Sequence, residues 1–225
     1  MNSIVIVAGG KGLRMGKDVP KQFLLLEGLP ILMHTIQAFY NWDVNCEIVL
    51  VLPTSQHDYW NGLVTQYNFK TNIIITTGGE TRFHSVKNGL LKTTGEVIGI
   101  HDGVRPLVSV NTIDNCFNEA KKNGNGIPCI PVNDSLRVTS ENGGNKMTDR
   151  SQYFRIQTPQ VFKRSVILAG FEQEYADYFT DDASVIEKAG ESINLVEGNE
   201  ENIKITRPTD LKIAEILIKD LQRKS

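Results

Sequence analysis

The chain has 225 residues, 40% apolar and 22% charged, enough for one large globular domain and a poor match to two equal domains or to a disordered chain. A formal net charge of -2 offers no global field to gather nucleic acid or an anionic membrane, so any anion must be held by a local group of cations. Three scattered cysteines, Cys46, Cys116 and Cys129, lack CxxC spacing; they argue against a zinc site or disulfide framework and fit a reducing, cytoplasmic setting, and no apolar run reads as a membrane span or secretion signal.

In chain order, Ile4 to Val7 is a short β-branched run that feeds straight into AGGKGLRMGKDVPKQF. Ile31 to Phe39 then has apolar residues at helical spacing. Ile48 to Leu52 reads as a strand, Tyr59 to Tyr67 as a helix, Ile73 to Ile75 as a strand, Val86 to Leu91 as a helix and Val97 to Ile100 as a strand. Ile113 to Ala120 follows as a helix, with Asn111 or Thr112 as its N-cap. Strands that are apolar on both faces and alternate with amphipathic helices predict an α/β layer with a mostly parallel sheet. Ligands of such sheets bind beyond the carboxyl ends of the strands, which directs attention to residues 8–21, 77–85 and 101–106.

The alternation stops after Pro131. Residues 132–157 hold short alternating pieces, SLRVTS and YFRIQ, around the turn-rich ENGGN, and predict a hairpin-like arm that is either a plain surface hairpin or a partner contact. A helix is expected over Arg164 to Tyr175, a capped helix over Thr180 to Ala189 and a strand over Ile193 to Glu197. A C-terminal helix after RPTD, with Thr209 as N-cap, places Leu211, Ala214, Ile218 and Leu221 on one face. The expected organisation is a single domain over residues 1–225 with an arm at 132–157.

The glycine-rich opening fits neither familiar phosphate loop. A dinucleotide fingerprint starting at Gly10 and Gly12 would need a third glycine where Met15 stands, and Gly16-Lys17 leads to Asp18 instead of the hydroxyl residue that a nucleotide triphosphatase loop requires. What remains is a strand followed by Ala8, Gly9, Gly10 and Gly12, whose backbone N–H groups can approach an anion closely, with Arg14 and Lys21 supplying charge. That reads as a triphosphate cradle with mobile side-chain clamps, the alternative being a plain tight turn after the strand.

AGGKGLRM followed by PKQF resembles the nucleotide-binding signature of sugar-phosphate nucleotidyltransferases. TGGETRFHSV, HDGVRP, the DR pair before QTPQVF, TDDAS and ENIKITRPTDL follow in the order and approximate spacing of the 2-C-methyl-D-erythritol 4-phosphate cytidylyltransferase family, so the resemblance runs from Ile4 to about Leu217. It implies a Rossmann-like three-layer α/β fold with a twisted, mostly parallel sheet and a protruding β-arm used for dimerisation. The implied activity is transfer of a cytidylyl group from CTP to methylerythritol phosphate in the non-mevalonate isoprenoid pathway, with Mg²⁺ as cofactor. An already anionic nucleophile needs no general base, so the protein's task is positioning and charge stabilisation.

On this resemblance Arg14 and Lys21 flank the triphosphate, while Gly79, Glu80 and Ser85 contact cytosine and ribose. Glu80 stands where Asp is also expected, and Arg82 could pair with it as a surface ion pair. Asp102 is the metal ligand, since Mg²⁺ takes one or two carboxylates plus phosphate oxygens and water, and Gly103 lets the nucleotide sugar approach the backbone. Arg105 is open between a buried acidic pairing and substrate contact, and His101 reads as a packed strand-end residue. Lys204 joins the cations at the reacting oxygens. Ser135 and Arg150 reach the acceptor of the other subunit across a two-fold axis. Asp181 and Asp182 read as helix caps, and Thr158 and Gln160 as a wall of the site. A cytidylyltransferase for ribitol 5-phosphate is the nearest rival reading, and a nucleotide-sensing protein without catalysis a more distant one.

Overall fold

The computed structural model describes residues 1–9, 19–140 and 142–224. Strand β1 (Asn2–Val7) is followed by a two-residue ladder, β2 (Leu25–Leu26) with β3 (Leu29–Pro30), then α1 (Ile31–Trp42), β4 (Glu47–Leu52), α2 (His57–Gln66) and β5 (Ile74–Thr77). Next come α3 (Arg82–Leu90), β6 (Val97–Asp102), α4 (Val110–Asn123) and β7 (Asn125–Pro131). Strands β8 (Arg137–Thr139) and β9 (Asn145–Met147) form a separate hairpin. The chain then runs through β10 (Phe154–Ile156), β11 (Gln160–Lys163), α5 (Arg164–Gly170), α6 (Asp182–Lys188), β12 (Leu195–Glu197) and α7 (Pro208–Lys224).

The main sheet has the order β10-β7-β11-β6-β1-β4-β5, with β12 also on β7. Strands β5, β4, β1 and β6 are mutually parallel, β11 runs antiparallel to β6 and β7, and β10 antiparallel to β7. Period-two alternation divides the core. Ile4 and Ile6 of β1 pack with α1, α2 and α4 through Leu32, Phe39, Trp60 and Phe117, while Val5 faces Phe83, Val86, Ile167 and Ile186 of α3, α5 and α6. The result is the expected three-layer sandwich. From β1 the chain steps outward to β4 and β5 and then returns to the other side of β1 as β6, so strand order reverses between β1 and β6 and a crevice opens at their carboxyl ends. Helix α7 closes the region below that crevice, where Ala214 and Ile218 meet Leu24, Leu26, Val104, Leu107 and Ile205.

Several expected boundaries move, each for a local reason. The N-cap of α4 is Ser109, whose hydroxyl accepts from Thr112 N at 3.1 Å, instead of Asn111 or Thr112. Thr209 is not a cap either: α7 begins at Pro208, and the Asp210 carboxylate reaches back to the N–H groups of Thr206 and Arg207, each at 2.8 Å. Helix α5 stops at Gly170, where a Cβ would sit 2.2 Å from Ile186 Cδ1, so the helix ends where it crosses α6. The strand Asn125–Pro131 is an addition to the expected set, and Phe154–Ile156, grouped by sequence with the hairpin, pairs instead with β7. The β8–β9 hairpin itself is exposed along both strands.

Candidate active site

A cleft of about 260 Å³ opens at the reversal point and is lined by Ala8 and Gly9 after β1, Lys21 and Gln22, Gly79 to Arg82 before and at the start of α3, Ser85, Asp102 at the end of β6, and Lys204. The sheet register accounts for much of this. Val7 pairs with Asp102, so the residues after β1 and the last residue of β6 emerge side by side. Gly78 N donates to Leu52 O at 2.9 Å, which ties the turn after β5 to the end of β4. Within that turn the Ser85 hydroxyl accepts from Gly79 N at 3.0 Å, and Thr81 caps α3. Gly79 has no room for a side chain, because a Cβ would lie 2.4 Å from His84 Cβ.

Asp102 is the electrostatic centre. Lys204 Nζ and Arg105 Nε each lie 3.1 Å from its Oδ2, and Arg82 Nε lies 3.8 Å from Oδ1. Burial opposes its charge, but Arg82, then Lys204 and Arg105, outweigh burial and hold the carboxyl well below the usual carboxylate range. Arg82 is itself gripped from behind: its Nη1 and Nη2 donate to the two oxygens of Asp182 at 2.8 and 2.7 Å. Burial works against its charge, yet Asp182 and Asp102 keep the guanidinium firmly ionised. The expected Arg82–Glu80 surface pair is therefore replaced by a pairing with a carboxylate that is 1% exposed. Asp181 caps α6 in a capping box with Ser184, as read from sequence, but Asp182 does not; it is the anchor of Arg82.

A second hollow of about 150 Å³ shares Arg82, Asp102 and Lys204 with the first and adds Arg105, Gln157, Thr158, Gln160, Thr180 and Asp181. Thr158 Oγ1 accepts from Asp102 N at 3.1 Å and bonds His101 Nδ1 at 3.0 Å. His101 is fully buried, edge-on to Phe39, and burial lowers its pKa to about 4, so it is a neutral packing group at the strand end.

Of the residues singled out by sequence, Ala8, Gly9, Lys21, Gly79, Glu80, Ser85, Asp102 and Lys204 meet at one cleft. Gly103 stands beside it: a Cβ there would meet Ala8 Cβ at 2.8 Å, so the glycine serves the contact between two backbone segments. Gly10, Gly12 and Arg14 lie outside the described residues. Ser135 and Arg150 are exposed on the arm and line neither hollow of their own chain. Sequence reasoning passed over Gln22, a 1%-exposed amide that donates to Ala8 O and Gln56 Oε1, both at 2.7 Å, and gave Arg82 too little weight. Both sit inside motifs already quoted, PKQF and TGGETRFHSV, so the signal was present without a geometry.

The family model described as 2-C-methyl-D-erythritol 4-phosphate cytidylyltransferase matches residues 2–220. The chain belongs to that family. A relative from Phocaeicola vulgatus with the same description is 52% identical over 216 residues, 96% of this chain and 98% of its own, and one from Bacteroides fragilis is 51% identical over 95% and 98%. The crystal structure of 4-diphosphocytidyl-2C-methyl-D-erythritol synthase from Anaerococcus prevotii superposes with a TM-score of 0.83 at 27% identity, covering 97% of this chain and 98% of that one. The Thermus thermophilus cytidylyltransferase structure gives 0.78, also at 27% identity, over 96% and 98%. As a family member the chain is a nucleotidyltransferase of isoprenoid biosynthesis. Among the described residues no helix is long and apolar enough to cross a membrane.

Proposed function

We propose that the two joined hollows hold CTP and 2-C-methyl-D-erythritol 4-phosphate and that the cations between them carry cytidylyl transfer. A phosphate oxygen of the acceptor attacks the α-phosphorus of CTP, the new P–O bond forms, the bond to the β-phosphate bridging oxygen breaks, and pyrophosphate leaves with the electron pair. No proton need move at the nucleophile. The observation that carries the reading is the placement of Arg82 and Lys204 at the boundary where both hollows share Asp102, with Lys21 on the wall of the first hollow. Preset cations stabilise charge that builds on the phosphates without reorganisation during the reaction. Lys21 faces the first hollow and serves the triphosphate; Arg82 and Lys204 face both and serve the reacting centre. Gly79, Glu80 and Ser85 form the turn that would meet cytosine and ribose, and Arg14, with the backbone of Gly10 and Gly12, would extend the triphosphate cradle.

The donor set also suits Mg²⁺. Oδ2 of Asp102 is engaged by Arg105 and Lys204, whereas among the described residues Oδ1 has only Arg82 at 3.8 Å, which leaves one oxygen of an ionised carboxylate for a cation. Among the described residues no group of three or more acidic, His or Cys side chains could form an all-protein cage. One carboxylate with phosphate oxygens is nonetheless a normal magnesium environment. Bound there, the ion would neutralise charge on the triphosphate. Ser135 and Arg150 would serve the acceptor in a neighbouring subunit of a homodimer, and the setting is cytoplasmic.

The test is pyrophosphate release by the purified chain with Mg²⁺, each of the four nucleoside triphosphates, and methylerythritol phosphate or ribitol 5-phosphate. Turnover confined to CTP with methylerythritol phosphate, abolished by chelation, is the expected result. Turnover with ribitol 5-phosphate alone, or with no pair, overturns the reading.

A further inference from the structure

Lys204 belongs to no helix or strand; it projects from an irregular segment between β12 and α7, and something must hold that segment in register with Asp102. The geometry points to Asn202 as the positioning residue for Lys204, acting through a closed ring of hydrogen bonds that also fixes Asp102. The inference rests on the reading of Lys204 as a cation at the reacting phosphates.

The ring can be traced atom by atom. Asp102 Oδ2 accepts from Arg105 Nε at 3.1 Å, and Arg105 Nη1 donates to the Asn202 carbonyl at 2.7 Å. The Asn202 side-chain Nδ2 donates to Thr158 O at 2.8 Å. Thr158 Oγ1 accepts from the backbone N–H of Asp102 at 3.1 Å, which closes the circuit. Lys204 is thus two residues from a member of the ring, and its ammonium returns to the Asp102 oxygen on which the ring begins. On its other side Ile205, fully buried, donates its N–H to Val104 O at 3.0 Å. The lysine is bracketed by two fixed points, and Asn202 is the one that uses a side chain.

Asn202 is an expensive choice for its place. It is fully buried, and among the described residues its Oδ1 is the buried side-chain polar atom with no hydrogen-bond partner. A buried acceptor without a partner lowers stability, so an apolar side chain of similar volume would serve packing better. What an apolar side chain cannot supply is the Nδ2 donor to Thr158 O. The amide is therefore explained by what it orients. Precise placement of a charge at a reacting centre matters because a misplacement of about 1 Å costs on the order of 100-fold in rate.

The test is a kinetic double-mutant cycle on the full-length protein with Asn202→Ala, Lys204→Ala and the double variant, measuring kcat and KM for both substrates. Expected is a fall in kcat for Asn202→Ala of about 10-fold or more with KM for CTP changed by less than about 3-fold, and a double variant no worse than Lys204→Ala alone. Asn202→Leu keeps a similar volume and removes the donor without burying a charge, so it provides the same comparison should the alanine variant fail to fold. Additive losses in the cycle, or a lowered melting temperature with unchanged kcat, overturn the positioning role while leaving the function of Lys204 standing. Full activity of Lys204→Ala instead overturns the reading of Lys204, and the inference falls with it.

Discussion

Lys21 and Lys204 both line the cleft, yet they are fixed by different means. Lys204 is 42% exposed and steered by Asp102, whereas Lys21 is half-buried and its backbone is set by its neighbour Gln22, which locks onto Ala8 O at 2.7 Å. The second arrangement ties the lysine to the start of the glycine-rich loop, so its charge should matter most when pyrophosphate is leaving. Lys21→Ala is expected to lower kcat by about 100-fold or more with KM for CTP nearly unchanged, the pattern of an interaction made in the transition state. Steady-state kinetics with varied CTP decide it, and a raised KM at constant kcat would reassign Lys21 to ground-state binding. His101 gives a stability prediction. Its folded pKa lies below its unfolded value, so between pH 6.5 and about 4 the unfolded chain binds more protons and stability must fall as pH falls. A shift from 6.5 to about 4 corresponds to ~3 kcal/mol at about 1.4 kcal/mol per unit. Urea midpoints across that range should drop for the natural chain and flatten for His101→Gln. The depressed Asp102 has the same sign, with its loss beginning lower than that of His101, as pH falls through the ordinary carboxylate range.

The turn between β5 and α3 is where element geometry governs substrate choice. Gly79 meets the first turn of α3 so closely that a methyl group would stand 2.4 Å from His84 Cβ and 2.9 Å from the His84 carbonyl carbon. The helix start cannot yield freely, because Thr81 caps it and Arg82 is clamped to Asp182. Gly79→Ala should therefore displace the turn itself, costing about 1–3 kcal/mol in stability by overpacking and raising KM for CTP about 10-fold or more. Thermal melts and kinetics check both parts, and an unchanged KM would separate this turn from the nucleotide. The same elements show what was legible in advance. The parallel core strands announced themselves as apolar runs because both faces are buried, and the motifs marked the ends of β1 and β6. Strand Asn125–Pro131 was hidden by Gly126, Pro128 and Pro131, residues that read as turn; Gly126 is needed because a Cβ would lie 2.5 Å from Cys116 O. Arg82 and Asp182 are 100 positions apart, and no local pattern can tell a capping Asp181 from an anchoring Asp182 beside it. Charge clusters assembled by the fold are legible as ingredients, and their pairing is not.

At the scale of the whole molecule, the arm is the feature that a lone chain leaves unexplained. Val138, Met147, Tyr153, Phe154 and Ile156 are 38–78% exposed along and beside it, and every residue of strands β8 and β9 is exposed. A two-stranded hairpin is marginal by itself in water, so this one gains from a surface to cover it. Ser135 and Arg150 occupy the same arm and line neither hollow of their own chain, while each cation lining the second hollow, Arg82, Arg105 and Lys204, is already paired with a carboxylate, Asp102 or Asp182. An isologous dimer would answer both needs at once, with each arm covering its partner and delivering Arg150 to the partner's site. Complementation measures this directly. Arg150→Ala and Lys21→Ala homodimers are each expected to be nearly inactive. After subunit exchange, a mixed dimer has one site with an intact Lys21 and an intact Arg150 and one site with neither. Random mixing of equal amounts makes half of the dimers mixed, so about a quarter of the natural activity per subunit should return. No recovery, with exchange verified by differently tagged subunits, would place Arg150 in the site of its own chain, and a fully active Arg150→Ala homodimer would place it outside catalysis altogether. Recovery near a quarter requires that the two residues act from different subunits, since a site built within one chain has nothing to gain from exchange.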